Sequence, residues 1–250
     1  MKNKFFNNPL SNIYSKPSKK SEVVSQILYG EKFKIIFQKK NWVKIKTNYD
    51  NYFGFIKKVK FSDKFKPSKK IFKIKSRIYH KKKNKFLKTH EFLYFGSGIE
   101  IKNQNKDYLE FKKDYWIKKH DTKKIDHFEE NFKKVLKMFV NCKYLWGGKT
   151  SNGIDCSALL QIYFYYNRTF FPRDTSDQII YCQKKNSKKF SKGDIIFWKG
   201  HVGICLNNSE FIHAYGPKKK VIIMKTNFTI NLINKTAKLI VKKISNIKDY

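Results

Sequence analysis

Long apolar stretches are missing from this 250-residue sequence. A membrane-spanning helix needs a run of about 18 or more apolar residues, so the sequence predicts no membrane span. The first residues, "MKNKFFNNPLSN", also lack the apolar core of a signal peptide, because asparagine and proline interrupt it. We therefore expect a soluble protein that stays in the cytoplasm.

Cysteine is scarce too, and no two cysteines form a C-x-x-C pair. A cytoplasmic chain keeps its thiols reduced, so a disulfide framework is not expected. No pair of cysteines or histidines has the spacing of zinc ligands, and the sequence therefore predicts no metal and no cofactor. The cysteines are Cys142, Cys156, Cys182 and Cys205.

Acidic residues and arginine are few, whereas lysine is abundant. The chain has 19 acidic and 56 basic residues and a formal net charge of +37, yet only three of the basic residues are arginines. Proteins that read nucleic acid favour arginine for bidentate contacts, and the lysines here are spread along the whole chain. We expect no specific nucleic-acid partner, although non-specific adsorption to polyanions at low salt follows from the charge.

The first half of the sequence contains an internal repeat. The segment "IYSKPSKKSEVVSQILYG" resembles "IYHKKKNKFLKTHEFLYFG", and the spacing from Tyr14 to Tyr29 equals the spacing from Tyr79 to Tyr94. In each copy an alternating stretch follows, and then an aromatic residue opens another alternating stretch. Short strands separated by polar turns predict a small β-barrel or sandwich for each copy.

These features divide the chain into three parts. The two strand-rich copies occupy residues 1–62 and 71–121, and a domain of different character occupies residues 125–250. The polar segments "SDKFKPSKK" (residues 62–70) and "KKHDTKK" (residues 118–124) are predicted to be linkers.

The last domain opens with helical periodicity. Apolar residues in "DHFEENFKKVLKMFVNC" are spaced 4, 3, 1 and 3 apart, as on one face of a helix. A second, largely buried helix is predicted from Asp155 to Tyr166, and Thr175-x-x-Gln178 has the pattern of a capping box. The residues of the first apolar face are Phe128, Phe132, Val135, Leu136 and Phe139.

Short predicted strands follow these helices. "DIIFW", "HVGICL", "EFIHAY" and "VIIMKT" are β-like and are divided by Lys-Gly and Asn-Asn turns. Helices followed by an antiparallel meander predict an α+β fold.

Cys156 stands out among the cysteines because a glycine-rich loop, "YLWGGKTSNGID", leads directly into the helix that it begins. Unpaired backbone N–H groups and the positive end of the helix dipole favour a thiolate at such a position. We therefore predict Cys156 as a nucleophile. The other three cysteines lie in apolar contexts and fit buried hydrophobic side chains.

A nucleophilic cysteine needs a base, and the base needs a group that orients it. His201 opens one predicted strand and His213 lies in the next, and neighbouring antiparallel strands can bring two such side chains together. We assign His201 as the base and His213 as its orienting partner, although a histidine in a strand can equally be a core residue. The remaining histidines receive no role: His80, His90, His120 and His127.

The segments "YLWGGKTSNGIDCSALLQ", "FPRDTSDQ", "KGDIIFWKGHVGICL" and "FIHAYG" together resemble the NlpC/p60 family of cysteine peptidases. The resemblance covers about 125 residues, from near Ile125 to the end, with four motifs in the family's order. The repeated first half resembles the paired bacterial SH3-like domains that precede the catalytic domain in one branch, the γ-D-glutamyl-L-diamino acid endopeptidases.

The resemblance implies a papain-like catalytic domain behind two small SH3-like β-barrels. It implies that Cys156 attacks the amide, that His201 acts as base and that His213 orients the ring. It also implies an oxyanion site made of the backbone N–H of Cys156 and the side chain of Tyr144.

Substrate-binding residues are implied in the same way. Asp155 and Ser157 match positions that bind the free α-amine of the substrate's L-Ala, although Asp155 can equally be a helix cap. Trp146 matches an aromatic residue of the substrate pocket. Thr175 matches a hydroxyl that contacts substrate, and its capping-box pattern is the alternative. At the position after Ser157 the family usually has glycine, whereas this chain has Ala158.

The function implied is hydrolysis of the γ-D-Glu–diamino acid bond in murein peptides with a free N-terminal L-Ala, in the recycling of cell-wall peptides. Two alternatives stay open at this point. One is a catalytically silent protein that binds cell-wall peptide or polyanions, and the other is an amidase or acyltransferase with the same nucleophile. The intact set of Cys156, His201 and His213 favours an enzyme.

Overall fold

The computed structural model describes residues 3–185 and 189–250, and the chain divides into two compact units. The first unit ends at Phe128 and the second begins at Glu129. Residues 1 and 2, where the first predicted domain begins, lie outside the described residues. Within the described ranges, no helix is long and apolar enough to cross a bilayer.

The first unit opens with a seven-stranded antiparallel sheet in the spatial order β3-β2-β6-β5-β4-β1-β7. Alternation along β5 places Val43, Ile45 and Thr47 in the interior and the residues between them nearer the solvent. The strands are β1 (Asn3–Phe6), β2 (Leu10–Tyr14), β3 (Val23–Leu28), β4 (Lys32–Lys39), β5 (Trp42–Thr47), β6 (Phe53–Lys57) and β7 (Phe61–Ser62).

Eight more strands complete the first unit. They form a five-stranded sheet in the order β10-β9-β14-β13-β12 and a three-stranded sheet in the order β11-β8-β15. The strands are β8 (Lys69–Ile71), β9 (Lys75–Lys82), β10 (Lys85–Tyr94), β11 (Gly98–Ile99), β12 (Asn103–Gln104), β13 (Tyr108–Lys112), β14 (Tyr115–Lys118) and β15 (Thr122–Lys124).

The predicted linker at residues 118–124 is wrong, because these residues belong to the fold. A short 3-10 helix, Lys119–Asp121, leads into β15, which pairs antiparallel with β8. Only the first residue of β15, Thr122, is buried, and its two lysines are exposed. Lysines are common on edge strands, where they discourage pairing with other chains, so a lysine-rich composition did not distinguish this strand from a linker.

The internal repeat is visible in both halves of the first unit. Ile13 and Ile78, and likewise Leu28 and Leu93, are related by the same offset of 65 and are buried at 0–2% exposure. The hairpins correspond as well: β2 pairs with β3 as β9 pairs with β10, and β5 pairs with β6 as β13 pairs with β14. Equivalent apolar positions therefore supply equivalent core positions.

Tyr29 links the two halves of this unit. Tyr29, which follows β3 of the first sheet, is buried in the hydrophobic core of the second half. Its ring packs edge-on against Phe111 of β13, with ring centroids 5.3 Å apart. Phe65, from the connecting segment, also contacts the Tyr29 ring.

Within residues 129–185 and 189–250, the second unit combines four α-helices with a five-stranded antiparallel sheet in the order β21-β20-β19-β18-β22. This arrangement confirms the α+β prediction. The helices are α1 (Phe132–Lys137), α2 (Cys156–Tyr166), α3 (Thr175–Tyr181) and α4 (Thr226–Ala237). The strands are β16 (Lys149–Thr150) and β17 (Gly153–Ile154), which form a separate hairpin, and β18 (Asp194–Trp198), β19 (His201–Cys205), β20 (Glu210–Tyr215), β21 (Lys220–Lys225) and β22 (Lys243–Asn246).

The first predicted helix is shorter than its periodicity suggested. α1 begins at Phe132 because the side chain of Asn131 caps it, accepting a hydrogen bond from the backbone N–H of Lys134. Phe128, the first residue of the predicted apolar face, lies outside the helix and is 56% exposed. By contrast, α2 is buried over nearly its whole surface, as its apolar composition predicted.

Gly203 controls how closely the strands β19 and β20 can pack their side chains. A Cβ atom at this position would lie 2.4 Å from Cζ of Phe211 and 2.8 Å from Cβ of His213. Both neighbours lie on β20, so their side chains occupy the space that a side chain on β19 would need. The missing side chain lets His213 reach along the sheet toward His201.

We expect Gly203→Ala to lower the melting temperature of the second unit. The added methyl group overpacks the interior, which typically costs about 1–3 kcal/mol. Gly216→Ala is the matched control, because a Cβ there meets only the ring of Tyr144 at 3.8 Å. Thermal unfolding followed by circular dichroism tests this expectation, and equal melting temperatures for the two variants would contradict it.

Candidate active site

The start of α2 is held by the glycine-rich loop that precedes it. A Cβ atom at Gly148 would lie 2.4 Å from the carbonyl oxygen of Gly153, so only glycine lets the two sides of this loop approach each other. Asp155 is the N-cap of α2, and its side chain accepts a hydrogen bond from the backbone N–H of Ala158. Cys156 is therefore the first helical residue, as predicted, and its backbone N–H has no acceptor within the helix.

The thiol of Cys156 faces the sheet. Its Sγ lies 4.0 Å from the carbonyl oxygen of Gly200 and 4.0 Å from Oγ1 of Thr175. The backbone of Val202 also hydrogen-bonds to it. Gly200 precedes β19 and Val202 is the second residue of that strand, so the thiol lies against the backbone on both sides of His201, the predicted base.

Burial, and to a smaller extent the charge of Asp155, raise the pKa of the Cys156 thiol to about 11. Hydrogen bonds from the backbone of Val202, the hydroxyl of Thr175 and the backbone of Ser157 act in the opposite direction but are outweighed. The direction is opposite to the one expected from a helix N-terminus alone. In the free protein the thiol is therefore protonated at neutral pH.

His201 and His213 form a hydrogen-bonded pair. Nε2 of His201 lies 2.9 Å from Nδ1 of His213. The His213 ring stacks on Tyr215 with centroids 4.7 Å apart, and the His201 ring lies 5.6 Å from Trp198. An aromatic side chain thus packs against each of the two imidazole rings.

Burial makes both imidazoles reluctant to accept a proton. It lowers the pKa of His201 to about 4. For His213, burial and then the neighbouring charge of His201 lower the pKa to about 2. Nε2 of His213 has no hydrogen-bond partner among the described residues, so no acceptor there stabilises a charged ring.

Arg173 is a buried member of the site to which the sequence analysis gave no role. Its Nη2 lies 2.6 Å from Oδ2 of Asp155, and its Nη1 lies 3.0 Å from Oδ1. Nη1 also donates to Oγ of Ser157 at 2.9 Å, and that hydroxyl donates to Oδ1 of Asp155 at 3.1 Å. Two features marked it in the sequence. It lies in the segment "FPRDTSDQ", and it is one of just three arginines in the chain.

The carboxylate of Asp155 has no acceptor position to spare. Oδ2 accepts from the backbone N–H of Gly147 at 2.9 Å and from Arg173, while Oδ1 accepts from Ala158, Ser157 and Arg173. A carboxylate offers about four lone-pair sites, and five donors already occupy them. This geometry favours the capping alternative for Asp155 over contact with a substrate amine.

Two further predicted residues lie in the glycine-rich loop. Tyr144 is half-buried. Burial is the main cause that raises the pKa of its hydroxyl, and the nearby charges of Cys156 and Asp155 raise it as well. Trp146 is 56% exposed, so its indole presents a large apolar surface.

Thr175 lies beside the thiol, but the capping box predicted around it is wrong. The N-cap of α3 is Asp174, and Thr175 is the first residue of the helix. Gln178 is buried, and its Nε2 donates to the carbonyl oxygens of Ser157 and Pro172 instead of returning to the helix start. The amide thus ties α3 to the beginning of α2 and leaves Thr175 facing Cys156.

Metal binding finds no support in the arrangement of side chains. Among residues 3–185 and 189–250, no group of three or more His, Cys, Asp or Glu side chains is placed to hold a metal ion. The cluster that does form is a thiol, two imidazoles and a buried ion pair between a helix start and a sheet.

Such a cluster on an α+β fold defines a thiol–imidazole site. Residues 141–236 match the NlpC/P60 family, and residues 9–59 match the bacterial SH3 domain. The chain therefore contains an NlpC/P60 domain preceded by a bacterial SH3 domain. The matched region includes Cys156, His201 and His213.

Several curated proteins are similar to this chain. Dipeptidyl-peptidase 6 from Lysinibacillus sphaericus is 25% identical over 82% of this chain and 84% of its own length. Gamma-D-glutamyl-L-lysine dipeptidyl-peptidase from Bacillus subtilis is 30% identical over 37% of this chain but only 34% of its own length. A probable endopeptidase NlpC homolog from Haemophilus influenzae is likewise matched over 45% of its length. The chain thus spans less than half of the last two relatives.

A crystal structure of an NlpC/P60 family protein from Bacillus cereus has the same fold. It superposes with a TM-score of 0.77 over 90% of this chain and 94% of that protein, at 16% sequence identity.

Acid should destabilise the second unit through its two buried histidines. An unfolded imidazole binds its proton near pH 6.5, whereas the folded protein does so only near pH 4 at His201 and pH 2 at His213. The unfolded state therefore binds more protons below pH 6.5. The free energy of unfolding has its full value above that pH and falls by about 2 kcal/mol per histidine on reaching pH 5.

The variant His213→Asn should lose less stability than the wild type between pH 7 and pH 5. Melting temperatures at the two pH values measure the difference. His90→Asn, at an exposed position on β10, is the control and should behave as the wild type does. The same decline in His213→Asn and the wild type would contradict this expectation.

Proposed function

We propose that this protein is a cysteine peptidase that hydrolyses the γ-D-Glu–diamino acid bond of murein peptides with a free N-terminal L-Ala. The proposal rests on the Cys156 thiol lying 4.0 Å from the carbonyl oxygen of Gly200, the residue before His201, and on the hydrogen bond between His201 and His213. The bond and the free N-terminus are supported by the names of the two dipeptidyl-peptidases that it resembles. A role in recycling cell-wall peptides within the cytoplasm is part of the same proposal.

In the first chemical step Sγ of Cys156 attacks the carbonyl carbon of the γ-glutamyl amide. Nε2 of His201 is engaged with His213, so Nδ1 is the ring nitrogen that takes the thiol proton. Because the thiol and the imidazole are both neutral at rest, proton transfer and attack occur together. The transferred proton leaves with the amine of the diamino acid, and an acyl-thioester remains on Cys156.

The oxyanion of the tetrahedral intermediate needs hydrogen-bond donors. The backbone N–H of Cys156 is one, because no helical acceptor uses it. The hydroxyl of Tyr144 is the second, since burial keeps its proton in place. Water activated by His201 then hydrolyses the thioester and releases L-Ala-γ-D-Glu.

The remaining predicted residues border this reaction. Thr175, 4.0 Å from the thiol, contacts the substrate close to the scissile bond. Trp146 supplies an apolar wall through its exposed indole. Ser157 is held by Arg173 and Asp155, so its part is to support the helix start.

Incubation with L-Ala-γ-D-Glu-meso-diaminopimelate should release the dipeptide L-Ala-γ-D-Glu, measured by liquid chromatography and mass spectrometry. Cys156→Ser should abolish release, because an alcohol at this site is a far weaker nucleophile than a thiol. Circular dichroism should show the same folded structure for both proteins. Release by the variant at the wild-type rate would refute the proposal.

The histidines give a graded result in the same assay. His201→Ala should lower kcat by at least about 10²-fold, because the proton acceptor is lost. His213→Ala should have a smaller effect, because it removes only the support of the ring. If the wild type bound the peptide in calorimetry but released no dipeptide, the silent binding alternative would be supported instead.

Blocking the substrate's amine tests the specificity. We expect N-acetylation of the L-Ala to lower kcat/KM about tenfold or more, as loss of a charge-assisted hydrogen bond to a group other than the fully occupied Asp155 carboxylate does. Asp155→Asn is not a useful test of amine binding, because it would also break the buried ion pair with Arg173. Equal cleavage of free and acetylated peptides would contradict the proposed specificity and leave the peptidase mechanism intact.

A further inference from the structure

The nucleophile lies next to a negative charge. Asp155 precedes Cys156 in the chain, and its carboxylate opposes ionisation of the thiol. The same carboxylate caps α2 and binds the backbone N–H of Gly147, so it also fixes the loop and the helix that position the sulfur. The site therefore depends on a group whose charge works against its chemistry.

The guanidinium of Arg173 forms an ion pair with this carboxylate. Arg173 is 2% exposed, and its guanidinium binds both carboxylate oxygens of Asp155. It also donates a hydrogen bond to Ser157, the residue after the nucleophile. The arginine thus contacts the residues on both sides of Cys156.

We infer that Arg173 is a positioning residue that neutralises Asp155 and so permits the Cys156 thiolate to form during attack. This role rests on the proposed function, in which Cys156 is the nucleophile. Arg173 acts by balancing the charge of Asp155, the carboxylate whose charge opposes ionisation of the Cys156 thiol.

The neighbouring titratable groups do not balance the negative charge of Asp155. The hydroxyl of Tyr144 is neutral, since its pKa is raised, and His201 and His213 are neutral at pH 7, since burial lowers their pKa values. Among these described groups, the two members of the Asp155–Arg173 ion pair are the ones that carry a permanent charge. The titratable and charged groups that face Cys156 from the loop, the helix start, the segment before α3 and the sheet are Tyr144, Asp155, Arg173, His201 and His213.

Arginine suits this place better than lysine does. The guanidinium is planar and donates two parallel hydrogen bonds to a carboxylate, and a further N–H reaches a neighbouring hydroxyl. Both oxygens of Asp155 are held in this way. The two hydrogen bonds fix the orientation of the capping carboxylate and also balance its negative charge. A lysine would keep the charge but would hold the carboxylate at one point.

Removing each charge in turn tests the inference without any substrate. We would measure the rate at which iodoacetamide labels Cys156 at pH 8, resolved by peptide mass spectrometry, with Cys142 as the internal reference. Because only the thiolate reacts, the rate reports its fraction. The variants are Arg173→Gln, Asp155→Asn and the double variant, with Arg173→Lys as the conservative replacement.

Arg173→Gln should slow the labelling of Cys156 about tenfold or more, since an uncompensated charge within a few ångströms shifts a pKa by at least about one unit. Asp155→Asn should speed it, and the double variant should return to within about threefold of the wild type. Arg173→Lys should fall between Arg173→Gln and the wild type. A merely structural role predicts the opposite for Arg173→Gln, because a loosened site exposes the buried thiol and labels faster.

Lys185→Met is the matched control. It breaks another buried ion pair of the same unit, with Nζ of Lys185 2.5 Å from Oδ2 of Asp194, and should not slow Cys156 labelling even if it lowers the melting temperature. Labelling of Arg173→Gln at or above the wild-type rate, or a double variant as slow as Arg173→Gln, would overturn the inference. Neither result depends on peptide hydrolysis, so failure of the proposed function would be seen separately, in the dipeptide assay.

Discussion

One buried carboxylate joins three segments that lie apart in the sequence. Asp155 accepts hydrogen bonds from the glycine-rich loop at Gly147, from the first turn of α2 at Ala158 and from Arg173 before α3. Removing either partner of a buried ion pair leaves an uncompensated charge, which typically costs about 3–5 kcal/mol. The orientation of the helix that presents Cys156 depends on this single set of contacts.

The sheet supplies the other half of the site. A two-residue turn at Gly200, with φ of +73°, returns the chain from β18 into β19, so that His201 faces the start of α2. The absence of a side chain at Gly203 then lets His213 approach from β20. The result is a buried site in which the thiol and both imidazoles are neutral at pH 7 and the charge of Asp155 is paired with that of Arg173.

Local signals in the sequence predicted most of this arrangement. The helix start at Cys156 followed from a glycine-rich loop running into an apolar segment, and the histidine pair followed from adjacent β-like stretches. Both depend on residues close together in the chain. The repeat in the first half likewise identified equivalent core positions such as Ile13 and Ile78.

What the sequence missed depends on contacts across the fold. The pKa of Cys156 is set by burial, which no local pattern reveals. Gln178 looked like part of a capping box, but its amide is used by the carbonyl oxygens of Ser157 and Pro172. Arg173 gave no periodic signal at all, since its partners lie 16 and 18 positions away.

The position of Tyr29 makes one repeat of the first unit depend on the other. Repeats that arise by duplication begin as interchangeable modules, each complete in itself. Here a residue that follows a strand of the first copy fills the interior of the second, against Phe111 and Phe65. The second copy alone would have a hole where that ring lies, so its core is complete only when the first copy is present.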